Sequence, residues 1–319
     1  MENVKRIILD VDTGIDDALA IIYAIKSKNI VIEGITTGFG NVSVEQATVN
    51  TLKMIDLAGP AYDIPVAMGA GKPLVREMRA PSVAIHGSDG LGGYDLPETK
   101  RTPIEESAPN FIIRKINESI NKLTLVFTGR LTNLAIALAK DPSIASKVER
   151  LVLMGGALKV PGNITEVAEA NIHGDPEAAH RVFESGIPIT MVGLDVTSNT
   201  KFGEAEFDLL MEKLTDKQQA LKDFFYHVFK FSFEASNRLN EGKFRLMHDP
   251  LAVGVAEDSS IVATEDYYIY IETKGTLSMG ATLADLRLPQ TKTNASVCMK
   301  VNDQLFLNRY IDTIASNER

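Results

Sequence analysis

Over its first two hundred residues the chain alternates short apolar runs with segments of helical period. The runs predict strands over 5–10, 31–36, 123–128, 151–154 and 188–192, and the periodic segments predict helices over 17–26, 44–57, 109–121, 133–140 and 176–184. Strand–helix alternation requires right-handed crossovers, so the fold class is α/β: an open, largely parallel central sheet flanked by helices on both faces. Such sheets bind ligands outside the carboxyl ends of their strands. Polar groups collect at that end: Asp12 after the first strand, Asn41 after the second, Thr128-Gly129 and Gly155-Gly156 after later ones.

Two stretches break the rhythm. Residues 68–108 are rich in Gly and Pro and show no clear period; His86 lies there, in IHGSDGLGG. A loop of this length in a compact domain is usually functional or disordered. Residues 201–243 read as two helices, the second carrying Phe224, Phe225, Tyr226, Phe229, Phe231 and Phe233. Most of these rings are expected in a core stripe, with one or two left to line a pocket for a flat base. In the tail, 267–271 and 296–301 alternate like strands and 304–315 like a helix. With no repeat and no linker, residues 1–319 read as one domain.

Composition narrows the classes of function. The chain is 45% hydrophobic and 24% charged with a net charge of −9, and its pI is near 5.2. A negative balance argues against a nucleic-acid partner, which favours a basic face. No apolar run approaches the ~20 residues of a membrane span, and no basic-then-apolar leader precedes the first strand. The expected location is cytoplasmic, and the Asn-x-Ser/Thr triplets at Asn41, Asn117, Asn163 and Asn294 are then chance matches. The single cysteine, Cys298, excludes an internal disulfide framework and a cysteine metal cluster.

The densest chemistry lies in DVDTGIDDA, where Asp10, Asp12, Asp16 and Asp17 fall within eight residues. Two of them suit the positive end of a helix dipole, but the pair on the strand does not. A hard divalent cation, which takes oxygen ligands, accounts for all four. An EF-hand loop counted from Asp10 would need glycine at Ile15 and glutamate at Ile21, so that reading fails. A haloacid dehalogenase-like phosphatase also opens on a strand ending Asp-x-Asp, but has glycine where this chain has Thr13; it stays as an alternative. Three later motifs are ambiguous alone. TGRLTNLA is a strand–turn–helix with Thr132 or Asn133 as a cap. GNITEVAEANI offers Asn163, Glu169 and Asn171, whose amide and carboxylate groups suit sugar hydroxyls. Asp175-Pro176 starts a helix, and MHDPLAVG sets His248 and Asp249 at another helix start.

Together DVDTGIDDA, TGRLTNLA, LVLMGGA, GNITEVAEANI and MHDPLA stand in the order found in nucleoside hydrolases. The chain resembles the inosine–uridine-preferring nucleoside hydrolase family from the first strand to at least Gly254. The resemblance implies the Rossmann-like nucleoside hydrolase fold, hydrolysis of the N-glycosidic bond of purine or pyrimidine ribonucleosides to ribose and base, and a homodimer or homotetramer. It also implies bound Ca²⁺, held by Asp12, Asp17, the main-chain carbonyl of Thr128, and Asp249. By the same matching, Asp12 is the base and Asp16 takes the ribose 2′-hydroxyl. Asn171 bridges the diol, Asn163 and Glu169 hold the 5′-hydroxyl, and Asn41 positions water and ribose. Met154 and Asp249 complete the substrate contacts, His248 meets the leaving base as a contact or acid, and His86 touches the base.

Three departures are visible. Ala170 stands where the family has an aromatic residue, removing a wall from the 5′ side. Arg130 stands where Pro or Gly is common, and is expected to point to solvent. Trp is absent, so no indole stacks on the base, which points to a non-specific or pyrimidine-leaning enzyme, although Tyr226 or a neighbouring Phe could stack instead. A non-catalytic nucleoside- or sugar-binding protein is the alternative from another class.

Overall fold

The computed structural model describes residues 4–78, 83–238, 242–287 and 291–316. Its strands are β1 (Lys5–Val11), β2 (Ile30–Thr37), β3 (Val66–Met68), β4 (Thr124–Phe127), β5 (Arg150–Met154), β6 (Ile189–Val192), β7 (Lys201–Gly203), β8 (Phe244–Leu246), β9 (Val262–Tyr267), β10 (Tyr270–Ile271), β11 (Thr282–Leu283) and β12 (Ala295–Val301). Its helices are α1 (Ile15–Lys26), α2 (Val44–Ala58), α3 (Val83–His86), α4 (Ala108–Glu118), α5 (Thr132–Lys140), α6 (Ala170–Gly174), α7 (Pro176–Phe183), α8 (Leu194–Thr197), α9 (Glu204–Lys213), α10 (Gln219–Arg238), α11 (His248–Glu257) and α12 (Asp303–Ala315).

Eight strands form the central sheet in the order β3-β2-β1-β4-β5-β6-β12-β9. Every pair in it is parallel except β12 with β9, so the expected open, mostly parallel α/β sheet is present. Apolar side chains leave the inner strands on both faces, as a sheet covered on both sides requires. One face packs against α1, α2, α10, α11 and α12, the other against α4, α5 and α7. Central β1 pairs with β2 and β4, which brings Asp10 opposite both Thr36 and Phe127.

Two readings of the tail and of 201–243 change. The strand expected at 267–271 is not continuous: the region holds only the last residue of β9, Tyr267, and the two-residue β10, and the rest of β9 lies before it. β9 is an exposed edge strand of sequence VATEDY, whose polar residues carry no apolar alternation to read. Residues 201–203 begin not a helix but β7, antiparallel to β8, with Phe202 opposite Arg245. The aromatic stripe is core: Phe224, Phe225 and Phe229 are fully buried, and Tyr226 turns outward at 50% exposure. In the long loop, the four-residue α3 ends at His86. Among the described residues no helix is long and apolar enough to cross a membrane.

Candidate active site

The site grows from the turn between β1 and α1. Helix α1 begins at Ile15, two residues before the sequence reading places it, because the Asp17 side chain completes its first turn. Asp17 Oδ2 accepts from Gly14 N at 3.0 Å, and Oδ1 accepts from Asp12 N at 3.3 Å and from Thr128 Oγ1 at 2.8 Å. The acid is therefore locked between the β1 turn and the end of β4. Asn41, just past β2, donates from Nδ2 to Asp12 Oδ1 at 2.8 Å and to Asp17 Oδ2 at 3.1 Å. At the start of α11, Asp249 N donates to Asp16 Oδ2 at 3.0 Å. Four acids from opposite ends of the chain thus meet, at 1% exposure for Asp12, 4% for Asp16, 0% for Asp17 and 4% for Asp249.

Beneath them Asp10 is a buttress. It accepts from Thr36 Oγ1 at 2.5 Å and Asn133 Nδ2 at 2.8 Å. Burial pushes its carboxyl up to about 7 despite those two donors. Asn133 is thereby a tie across the sheet rather than the helix cap expected for it, and Thr132 donates to Asp175 Oδ2 at 2.7 Å instead of capping α5. Asp175 does start its helix as read, accepting from Ala178 N at 3.0 Å with Pro176 next in the chain.

Above the acids lies a cleft of about 330 Å³ lined by Asp16, Asn41, His86, Thr128, Met154, Asn163, Glu169, Asn171, His248 and Asp249. Every expected substrate residue therefore borders one cavity, with Asp12 and Asp17 just below its floor. Asn171 Nδ2 donates to the carbonyls of Thr128, at 2.6 Å, and Met154, at 3.1 Å. Glu169 caps α6, accepting from the N–H groups of Asn171, Ile172 and Gly156, and Asn163 Oδ1 accepts from Ala170 N at 3.0 Å. His86 Nδ1 accepts from Ile15 N at 3.1 Å, which seats its ring against Gly14. His248 Nδ1 is hydrogen-bonded with Thr197 Oγ1 at 2.8 Å. Among the described residues the lining includes one Phe or Tyr ring, Phe39, and none from α10.

Two arginines were not read as part of the site. Arg130, expected to face solvent, instead turns inward and pairs through Nη1 with Asp12 Oδ2, with its side chain only 14% exposed. Arg245 lies in the cleft wall beside Asp16, 3.5 Å from Nε to Oδ1. A departure from family pattern marked Arg130. Arg245 carried no signal beyond being a lone cation in the apolar run FRLM before His248.

Burial drives the electrostatics. It raises the carboxyls of Asp12, Asp16, Asp17 and Asp249 above the ordinary range; Asp249 is further raised by the charges of Asp17, Asp16 and Asp12. Arg130 opposes the rise at Asp12 and Arg245 the rise at Asp16. Burial, reinforced by Arg245, pushes His248 down to about 3, which favours its neutral form. Crowded buried carboxylates and a nearby main-chain carbonyl are hard oxygen donors, the set that Ca²⁺ or Mg²⁺ takes. Among the described residues no three His, Cys, Asp or Glu side chains are arranged to hold a metal as they stand. Asp12 Oδ2 faces Arg130 instead, so the donors fit a hard cation in kind and Arg130 must leave that oxygen for it to serve.

Comparison with known proteins gives the class. The family model described as inosine-uridine preferring nucleoside hydrolase matches residues 7–308, and the chain belongs to that family. It is an enzyme that hydrolyses N-glycosyl bonds of nucleosides. It is 37% identical over 309 residues to the pyrimidine-specific ribonucleoside hydrolase RihA of Salmonella gallinarum, covering 95% of this chain and 96% of that one. It is 37% identical over 282 residues to uridine nucleosidase 1 of Arabidopsis thaliana, covering 88% of this chain and 82% of that one. Among solved structures, a purine-preferring ribonucleoside hydrolase from Gardnerella vaginalis superposes with a TM-score of 0.90 at 36% identity, covering 98% of each chain.

Proposed function

We propose that the protein is a calcium-dependent ribonucleoside hydrolase that cleaves pyrimidine ribonucleosides ahead of purine ones and works as a homodimer or homotetramer. The observation that carries the reading is the meeting of Asp249 with the amino-terminal acids below a cleft edged by Asn163, Glu169 and Asn171. The pyrimidine preference is supported by two named relatives and by a cleft with no indole and no ring from α10.

Cleavage passes through an oxocarbenium-like state, positive at the ribose ring. Buried carboxylates stabilise that charge more than they stabilise the neutral substrate, and this difference is what accelerates the step. Asp12 takes the proton of the attacking water, which Asn41 orients. Asp16 accepts from the 2′-hydroxyl, Asn171 bridges the diol, and Asn163 and Glu169 hold the 5′-hydroxyl. Met154 packs beneath the sugar, and His86 and His248 border the base. His248 meets the base there as a neutral imidazole, whose one N–H donates a hydrogen bond but which holds no second proton to give as an acid, because burial pushes it down to about 3. The residues that would hold calcium are Asp12, Asp17, Asp249 and the carbonyl of Thr128. Bound calcium would supply positive charge that acidifies a water.

The test is incubation with uridine, inosine and a phosphomonoester, reading reducing sugar and phosphate. Reducing sugar from nucleosides, with uridine ahead, is expected. Phosphate alone would establish the phosphatase, and neither product a binding protein.

A further inference from the structure

We infer that Arg245 is a positioning residue: its guanidinium, tied to Ser232, fixes the orientation in which the Asp16 carboxylate meets the ribose 2′-hydroxyl. The inference rests on the proposed placement of the ribose over Asp16. One short segment, 245–249, grips that carboxylate at both oxygens. Asp249 N donates to Oδ2 at 3.0 Å, and Arg245 Nε stands 3.5 Å from Oδ1. Neither Nε nor Oδ1 has a hydrogen bond among the described residues, so the second grip is an attraction of charges rather than a directed bond. The arginine is itself held firmly. Its Nη1 donates to Ser232 Oγ at 3.1 Å, and that hydroxyl donates to Val228 O, one turn earlier in α10, at 2.7 Å. Strand β8 pairs with β7, whose Phe202 lies opposite Arg245 and stacks on Phe229 of α10 with 4.4 Å between ring centroids. With side chains 8% and 5% exposed, Arg245 and Asp16 attract each other with little screening by water.

Asp16 needs a second hold. Asp17 and Asp249 face it with like charge, and a carboxylate fastened at one oxygen can still pivot about that contact. A cation at Oδ1 offsets the repulsion and fixes the plane of the group. The proposed reaction makes that plane count. As positive charge develops at the ribose ring, the hydrogen bond from the 2′-hydroxyl strengthens, so it stabilises the transition state more than the bound substrate. A carboxylate turned out of line therefore lowers kcat and leaves KM nearly unchanged. A misplacement of about 1 Å can cost about a hundredfold. An arginine that only filled the cleft wall would affect stability without producing this split.

Arg245→Met removes the charge and keeps much of the volume; Arg245→Lys keeps the charge. On uridine, folded Arg245→Met is expected to lose about tenfold to hundredfold in kcat, while KM moves less than about threefold. Arg245→Lys should regain most of that loss. A crystal structure of Arg245→Met should show the Asp16 carboxylate rotated by more than about 20° from its place in the unaltered enzyme. Retained kcat, a loss carried by KM, an unmoved Asp16, or a lysine variant as impaired as the methionine one overturns the inference, while uridine hydrolysis by the unaltered enzyme leaves the parent reading intact. Absence of nucleoside hydrolysis in the unaltered enzyme overturns the parent reading instead. Should Arg245→Met fail to fold, Ser232→Ala decides. It takes the acceptor from Nη1, and a loss of about threefold to tenfold in kcat at unchanged KM is expected; an unchanged kcat overturns the inference.

Discussion

The guanidinium of Arg130 is paired with the carboxylate of Asp12, the group proposed to act as both base and ligand. Its path there is open only because two neighbours lack side chains. A Cβ at Gly40 would collide with both Nη1 and Asp12 Oδ2, and one at Gly174 would fall 2.6 Å from Arg130 Nε. A tethered cation therefore stands where acidic crowding is most in need of one. Without such a charge, Asp12 would face Asp17 across a water-poor interior, where like charges repel strongly.

Competition between this arginine and a divalent ion follows. Arg130→Gly is expected to raise calcium affinity by about tenfold or more, since removing a cation a few ångströms away removes a repulsion of at least ~1.4 kcal/mol. The same change should lower the melting temperature of the chelator-treated protein, because Asp12 loses its buried partner. Titration calorimetry and thermal melts in EDTA check the two halves. Unchanged affinity together with an unchanged melt would show that Arg130 does not stand in for a metal.

If calcium is the cofactor as proposed, treating the unaltered enzyme with chelator should abolish nucleoside cleavage and lower its melting temperature, and added calcium should restore both. Binding to the folded state alone stabilises by about 2.7 kcal/mol at a hundredfold excess over Kd. Identical melting curves with calcium and with chelator would count against the cation. Asp249→Ala should respond weakly to calcium in the same assay, because it removes one oxygen donor while the backbone amide of residue 249 still holds Asp16.

For Asp12→Ala, kcat on uridine is expected to fall by about 10³-fold, within the range seen when a general base is removed. Circular dichroism should show the fold retained, since Asp10, not Asp12, ties β1 to Thr36 and Asn133. Near-full activity in this variant would remove Asp12 from the chemistry.

Much of this arrangement was legible in the chain because it is local. The β1–α1 turn, the helix start at Asp175 and the core stripe of α10 each follow from periodicity and capping within one element. What escaped is set by tertiary contact. Whether Arg130 faces solvent or Asp12 depends on glycines far from it in sequence, at 40 and 174. Arg245 reads as one charge in a short apolar run, and only the folded structure shows that its neighbour is Asp16. Strand β9 escaped for another reason: an exposed edge strand has little apolar face to display.

Ala170 lines the cleft beside Asn163 and Glu169, the residues assigned to the 5′-hydroxyl, and presents only a methyl group there. A larger 5′ substituent should therefore find room in this enzyme. Ala170→Phe is expected to reduce kcat/KM for 5′-deoxy-5′-methylthiouridine by about tenfold, the discrimination that a filled apolar pocket gives against an extra group. Uridine itself, which ends at a hydroxyl, should be cleaved within about threefold of the unaltered rate, since the change adds a wall without touching Asp12, Asp16 or Asn171. A parallel fall on both substrates would mean that the phenyl ring disturbs Glu169 rather than closing the 5′ side, because Ala170 N is held by Asn163 Oδ1 and α6 begins at that residue.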